Sequence, residues 1–160
     1  MSNAVSLSLS DTVTKFSLPA TSERTITQDD LTGSYTILYF YPKDSTPGCT
    51  TEGNDFNDSL EVFNQLNCQV LGVSMDSMKR HEIFKAKQGF KFDLISDEDA
   101  VLCNLFGTYQ LKKTFGKEYM GIVRSTFLID PHGKIVSEWR NVKVKDHVET
   151  LLTLLKALKA

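Results

Sequence analysis

The sequence predicts an α/β sandwich, a central mixed β-sheet flanked by helices, and three observations predict it. Apolar segments of strand length alternate with segments of helical period along most of the chain. Late in the chain, two strand-like segments are joined by a turn so short that they must run antiparallel. With 160 residues, 41% of them hydrophobic and ten of them Phe, the chain is long enough for one well-filled core. We therefore expect a single domain over residues 1–160, with 1–9 as a loosely ordered N-terminal segment.

The first element with an unmistakable pattern is Tyr35-Thr36-Ile37-Leu38-Tyr39-Phe40-Tyr41, aromatic or β-branched almost throughout, which reads as a buried central strand. A polar, Pro-rich loop follows over residues 42–48. Phe56, Leu60, Phe63 and Leu66 then recur at three- and four-residue steps, the spacing of one face of a helix. Residues 68–74 read as a second strand. Residues 77–88 read as a helix with Met78, Ile83 and Phe84 inward, closed by Gly89, because Gly just past the last turn is the usual stop. Residues 92–95 form a short strand and 99–106 a short helix. The Lys-rich connection over 107–121 has no pattern that assigns it. Ser125-Thr126-Phe127-Leu128-Ile129 and residues 134–139 flank the turn Asp130-Pro131-His132-Gly133 and form an antiparallel hairpin. Val148, Leu151, Leu152, Leu155 and Leu158 keep helical spacing to the end, giving a last helix packed on the sheet. Strand–helix alternation followed by a hairpin and a final helix is the arrangement of thioredoxin-like domains.

Composition excludes several classes of function. Eighteen Lys and Arg against 20 Asp and Glu give a formal net charge of −2, which offers no footprint for a nucleic-acid backbone. No apolar run approaches the roughly 18–20 residues of a membrane span, and the N-terminus lacks the charged start of a secretory signal, so a cytoplasmic protein is expected. Three cysteines, Cys49, Cys68 and Cys103, form no CxxC pair and no even-numbered framework, which favours thiol chemistry over disulfide stapling.

The informative stretch is Thr46-Pro47-Gly48-Cys49. Thr is a favoured N-cap residue and Pro is preset for the first helical turn, so Cys49 falls at the third helical position. Backbone N–H groups there have no intrahelical partner and carry a partial positive charge, which stabilises an anion. Cys49 is thus placed to react as a thiolate, just beyond the C-terminal end of a buried strand, where open α/β sheets put their ligand sites.

The segment Tyr39-Phe40-Tyr41-Pro42-Lys43-Asp44-Ser45-Thr46-Pro47-Gly48-Cys49-Thr50-Thr51-Glu52 resembles the active-site segment of peroxiredoxins. The nearest pattern is that of the bacterioferritin-comigratory-protein branch, also called PrxQ. The resemblance continues through Gly72-Val73-Ser74-Met75-Asp76, Lys87-Gln88-Gly89-Phe90 and Arg124-Ser125-Thr126-Phe127-Leu128-Ile129-Asp130, covering roughly residues 10–158. It implies the thioredoxin-like peroxiredoxin fold and a thiol-dependent peroxidase without a bound cofactor. Cys49 then resembles the peroxidatic cysteine, Thr46 the hydroxyl that holds the peroxide, and Pro42 the residue that shields the site from water. Arg124 resembles the charge partner of the sulfur and Glu52 the carboxylate that ties this arginine in place. Gly48 suits the site because a residue without a side chain lets a substrate oxygen approach the backbone.

Ionisation alone would not make such an enzyme fast. Lowering any cysteine pKa from about 8.5 to about 6 raises its thiolate fraction at pH 7 only about thirty-fold, and a stabilised thiolate is a weaker nucleophile. Larger acceleration requires donors placed where charge develops, and Thr46, Arg124 and the Gly48 and Cys49 N–H groups are the candidates.

In the family a second thiol resolves the sulfenic acid, either five residues after the first cysteine or about 36 residues on. Those positions here are Asn54 and Lys85. Cys68 and Cys103 remain as internal candidates, and both read as buried structural thiols. The expected behaviour is therefore one-Cys, with thioredoxin, glutaredoxin or a small thiol such as glutathione as external reductant and a monomer as the unit. Alternatives are an atypical two-Cys enzyme using Cys103 or Cys68, and a redox-inert module of chaperone-like kind. His81, His132 and His147 lack ligand spacing to any cysteine and read as surface residues, which disfavours a metal site or a Cys–His hydrolase. Phosphatase chemistry would want Arg where position 55 is Asp.

Overall fold

A computed structural model describes residues 6–159. Its elements follow the chain as β1 (Ser17–Ala20), β2 (Arg24–Thr27), a short 3-10 turn (Gln28–Leu31), β3 (Tyr35–Phe40), α1 (Pro47–Asp58), α2 (Leu60–Gln65) and β4 (Cys68–Ser74). There follow α3 (Met78–Gln88), β5 (Asp93–Ser96), α4 (Val101–Leu105), β6 (Tyr109–Thr114), β7 (Lys117–Ile122), β8 (Ser125–Ile129), β9 (Ile135–Arg140) and α5 (His147–Lys159). Among the described residues seven strands form one mixed sheet in the order β2-β1-β5-β4-β3-β8-β9, while β6 and β7 pair only with each other.

β3 is an interior strand of this sheet and is apolar on both faces. It runs parallel to β4, with Tyr35 opposite Cys68 and Phe40 opposite Val73, and antiparallel to β8. Successive side chains of a strand point to opposite faces. Ile37, Tyr39 and Tyr41 accordingly join Phe56, Phe63, Phe84, Leu151 and Leu155 in the core beneath α1, α2, α3 and α5. Leu38 and Phe40 join Val13, Phe16, Leu102 and Phe106 on the other face, under α4 and the N-terminal segment. The ring of Phe56 stacks on Tyr39 at 4.5 Å between centroids, and burying such a side chain contributes about 1.5–3 kcal/mol. This contact seats α1 on the sheet. Gly53, one turn earlier, lets the helix approach: a Cβ there would lie 2.4 Å from Phe90 Cζ.

Several elements depart from the sequence reading. The helix expected through Phe56 and Leu66 breaks at Ser59, where ψ of 3° turns the chain into α2 while Phe56, Leu60 and Phe63 stay buried. On α3 the inward stripe is His81 and Phe84, three residues apart, and Ile83 is exposed because it sits about 100° round the helix from Phe84. His81 and His147, expected at the surface, are both buried. The unassigned connection over 107–121 is the β6–β7 ribbon, closed by a turn in which Phe115 and Gly116 both have positive φ. It exposes Leu111, Phe115, Tyr119 and Met120, an apolar surface absent from the sequence reading. The β1–β2 hairpin is a further difference, its two four-residue strands being too short and too exposed to carry a pattern. Of the segment expected to be loose over 1–9, residues 1–5 lie outside the described residues. Leu7 is buried and held at both ends, its N–H donating to Leu105 O at 2.8 Å and its carbonyl accepting from Arg140 at 3.0 Å. Among the described residues no helix is long and apolar enough to cross a membrane.

Candidate active site

The loop that carries the site begins where the β3 ladder ends. Tyr41 N–H makes a last bond to Val73 O at 3.0 Å, and Pro42, half-buried, has no N–H with which to continue. Ser45, at φ 64°, turns the chain, and Thr46 enters α1 in an extended conformation with Pro47 as the first helical residue. Cys49 thus stands at the third helical position, as the sequence predicts. The expected side-chain cap does not form. Thr46 Oγ1 donates instead to Lys43 O at 2.8 Å. The first intrahelical bond is Thr50 N–H to Thr46 O, so the Gly48 and Cys49 N–H groups precede the helical ladder.

Cys49 is 2% exposed. Arg124, immediately before β8, reaches it from across the sheet: Nη2 lies 3.5 Å from the sulfur while Nη1 donates to Glu52 Oε1 at 2.6 Å. β8 pairs with β3, which brings residues 75 apart in sequence into contact. Gly48 leaves the guanidinium its space, since a Cβ there would stand 3.1 Å from Nη2. Cys49, Glu52, Arg124 and Gly48 are therefore assembled in one place, with Thr46 and Pro42 on the loop leading into it.

One cation here faces two groups that can be anionic. Burial pushes the Glu52 carboxyl up to about 7, although Arg124 works in the opposite direction, and among the described residues its Oε2 has no partner. Burial also opposes the Arg124 charge, but Glu52 and Cys49 more than offset it, so the guanidinium is held charged. Near neutral pH Glu52 is therefore partly protonated, which leaves more of the Arg124 charge to the Cys49 sulfur 3.5 Å away.

Because the folded state holds the Glu52 proton from about pH 4.5 up to about 7, stability due to this group is full below that window and falls as pH rises through it. Glu52→Gln removes the effect, so the variant gains on the wild type between those pH values by up to about 3 kcal/mol. Urea midpoints across that range measure it. A difference that does not change with pH would contradict burial of an ionisable Glu52.

Cys68 and Cys103 are free and buried, as expected. Burial pushes the Cys68 thiol up to about 12, and burial together with Asp97 raises Cys103 as well. Cys103 lies in the core on the opposite side of the sheet from Cys49. Cys68 begins β4, five residues before the position opposite the end of β3, which puts it about 16 Å back along the strands. At the two positions where the family places a resolving cysteine, Asn54 bonds to Gln88, and Lys85 bonds to Asp93 at 2.6 Å. Sequence reasoning missed Tyr41, Asp44, Asp76 and His81, which pack against the same loop. The available signal was Asp76, which sits just past the C-terminal end of β4 and thus at the same sheet edge as Cys49.

Comparison with known proteins decides the relationship. The AhpC/TSA family matches residues 9–138. The chain belongs to that family. Peroxiredoxin Bcp of Bacillus subtilis is 54% identical over 132 residues, covering 82% of this chain and 84% of the relative. Peroxiredoxin Bcp of Xanthomonas campestris is 53% identical over 125 residues, 78% of each chain. Among solved structures, a mutant of PrxQ from Xylella fastidiosa superposes with a TM-score of 0.92 at 45% identity, covering 98% of this chain and all of the other. The Xanthomonas campestris bacterioferritin comigratory protein, studied for its alkyl peroxide reduction activity, gives 0.86 at 46% identity over 91% of this chain and 92% of that one. The peroxiredoxin resemblance read from the residues is thus borne out, and with it the thioredoxin-like fold.

Proposed function

We propose that this AhpC/TSA-family protein is a thiol-dependent peroxidase that reduces hydrogen peroxide and organic hydroperoxides at Cys49 and is regenerated by an external thiol. The observation that carries the reading is the Arg124 guanidinium, which touches the Cys49 sulfur with one nitrogen and is anchored by Glu52 through the other. Cys49 sulfur attacks the protonated oxygen of the peroxide; an S–O bond forms, the O–O bond breaks, and the distal oxygen leaves as alkoxide or hydroxide and takes a proton from water. Sulfur is oxidised to the sulfenic acid as the peroxide is reduced to an alcohol or water. The Thr46 O–H already donates its hydrogen bond to Lys43 O, so its oxygen is left to accept from the peroxide O–H and orients it. Arg124 and the N–H groups of Gly48 and Cys49 face the charge that grows on the oxygens, and Pro42 covers the sulfur.

One thiol from a reductant then displaces water from the sulfenic acid to give a mixed disulfide, and a second releases Cys49 as the thiol. The burial and remoteness of Cys68 and Cys103 support this one-Cys cycle, with thioredoxin, glutaredoxin or a small thiol as reductant. The reading takes the monomer as the working unit and the cytoplasm, which keeps such reductants reduced, as the compartment.

Thr46→Val tests the reading. It is expected to slow oxidation of Cys49 by peroxide by about 10²-fold, the scale of one lost orienting contact, while alkylation of Cys49 by iodoacetamide keeps its rate. Stopped-flow oxidation and timed alkylation supply the two rates. Should wild-type Cys49 react with peroxide no faster, relative to iodoacetamide, than free cysteine does, the redox-inert module is the better reading.

A further inference from the structure

Beneath the active-site loop, Asp44, Asp76 and His81 each bring one possible ligand atom within 4.8 Å of the others. The cluster looks like a metal site, yet its atoms are already engaged in hydrogen bonds and an ion pair. His81 Nε2 faces Ile95 O at 2.9 Å and so carries a hydrogen, while Nδ1 meets Asp44 Oδ2 at 2.6 Å. Tyr41 donates to Asp44 Oδ1 at 2.6 Å. Asp76 accepts from Ser74 Oγ at 2.5 Å and from Arg80 Nε at 3.1 Å. It also accepts, at 2.9 Å, the backbone N–H of Asp44.

That last bond connects the cluster to the reaction. The Asp44 N–H and the Lys43 carbonyl are the two ends of one peptide group. The N–H end is fixed by the Asp76 carboxylate, and the carbonyl end accepts a hydrogen bond from the Thr46 hydroxyl at 2.8 Å. A peptide whose N–H donates to a carboxylate is polarised and becomes a stronger acceptor at its oxygen. Its plane is also fixed, because the Asp44 side chain one bond further on is clamped by Tyr41 and His81.

We propose that Asp76 is a positioning residue that acts through the Lys43–Asp44 peptide: it holds the Lys43 carbonyl where it accepts the Thr46 hydroxyl hydrogen bond, and so keeps the Thr46 oxygen turned to accept from the peroxide. The Asp44–His81 pair is the second clamp on the same peptide. This rests on the role given to Thr46 above, and a double-mutant cycle separates the two claims.

Asp76→Ala is expected to slow oxidation of Cys49 by hydrogen peroxide by about tenfold in the wild-type background, with iodoacetamide alkylation unchanged. In the Thr46→Val background, where no hydroxyl remains to be held, Asp76→Ala is expected to add nothing. Ser74→Ala, a smaller change beside the same carboxylate, serves if Asp76→Ala does not fold, and should give a lesser slowing that is likewise absent with Val at 46. Equal slowing in both backgrounds, loss of alkylation in step with oxidation, or no slowing in the wild-type background overturns the proposal. If Thr46→Val itself does not slow oxidation, the role of Thr46 fails first and the single-variant rate shows it.

Discussion

Cys49→Ser is expected to abolish hydroperoxide consumption, a loss of at least about 10³-fold, because a serine hydroxyl is neither ionised near neutral pH nor able to take up the peroxide oxygen. Cys68→Ser and Cys103→Ser should leave the first oxidation step unchanged, since both thiols are buried away from the site and held protonated. Stopped-flow decay of peroxide on the three variants makes the comparison. Residual consumption by Cys49→Ser near the wild-type rate would place the chemistry elsewhere.

Arg124→Ala should give the second-largest effect, and it has two separable parts. The rate of Cys49 oxidation falls by about 10²–10³-fold, because the fixed donor facing the sulfur and the substrate oxygen is gone. Stability falls too, by about 3 kcal/mol above pH 7, where Glu52 is left buried without its partner. Near pH 5 the loss is smaller, since Glu52, pushed up to about 7 by burial, is already neutral there. Adding Glu52→Gln removes the stranded carboxylate and should restore stability without restoring rate. Urea midpoints at the two pH values and peroxide decay measure these parts independently. Recovery of the rate in the double variant would mean that Arg124 acts only by neutralising Glu52.

Those two experiments concern residues that were legible in the chain, and the reason is local. Thr46, Pro47, Gly48 and Cys49 lie in one contiguous segment whose helix-start chemistry fixes where the sulfur stands, and Arg124 precedes an unmistakably buried strand. The fold was legible for the same reason wherever apolar period was strong, as in β3, β4, β8 and α5. It was not legible in β1 and β2, which are four residues each and largely exposed, nor in the β6–β7 ribbon, whose side chains are mostly outside the core. The bend at Ser59 left the apolar spacing intact and so gave no sign. His81 and His147 were misplaced because their burial depends on partners far along the chain. His81 is satisfied by Asp44 and Ile95, and His147 by Thr126 at 2.8 Å, with burial lowering its ring to about 4. The support beneath the loop is likewise a product of strand order. Asp44 meets Asp76 and His81 only because β3, β4 and β5 run parallel side by side and deliver their C-terminal ends to one edge of the sheet.

Everything in the proposed cycle depends on where one oxygen atom goes. Treating the protein with one equivalent of hydrogen peroxide, without reductant, and reading the intact and peptide masses locates it. The account predicts that the protein gains a single oxygen on the Cys49 peptide, with Cys68 and Cys103 still free to alkylate once the chain is unfolded. Loss of two hydrogens through an internal disulfide, or an oxygen carried by any other residue, would contradict it.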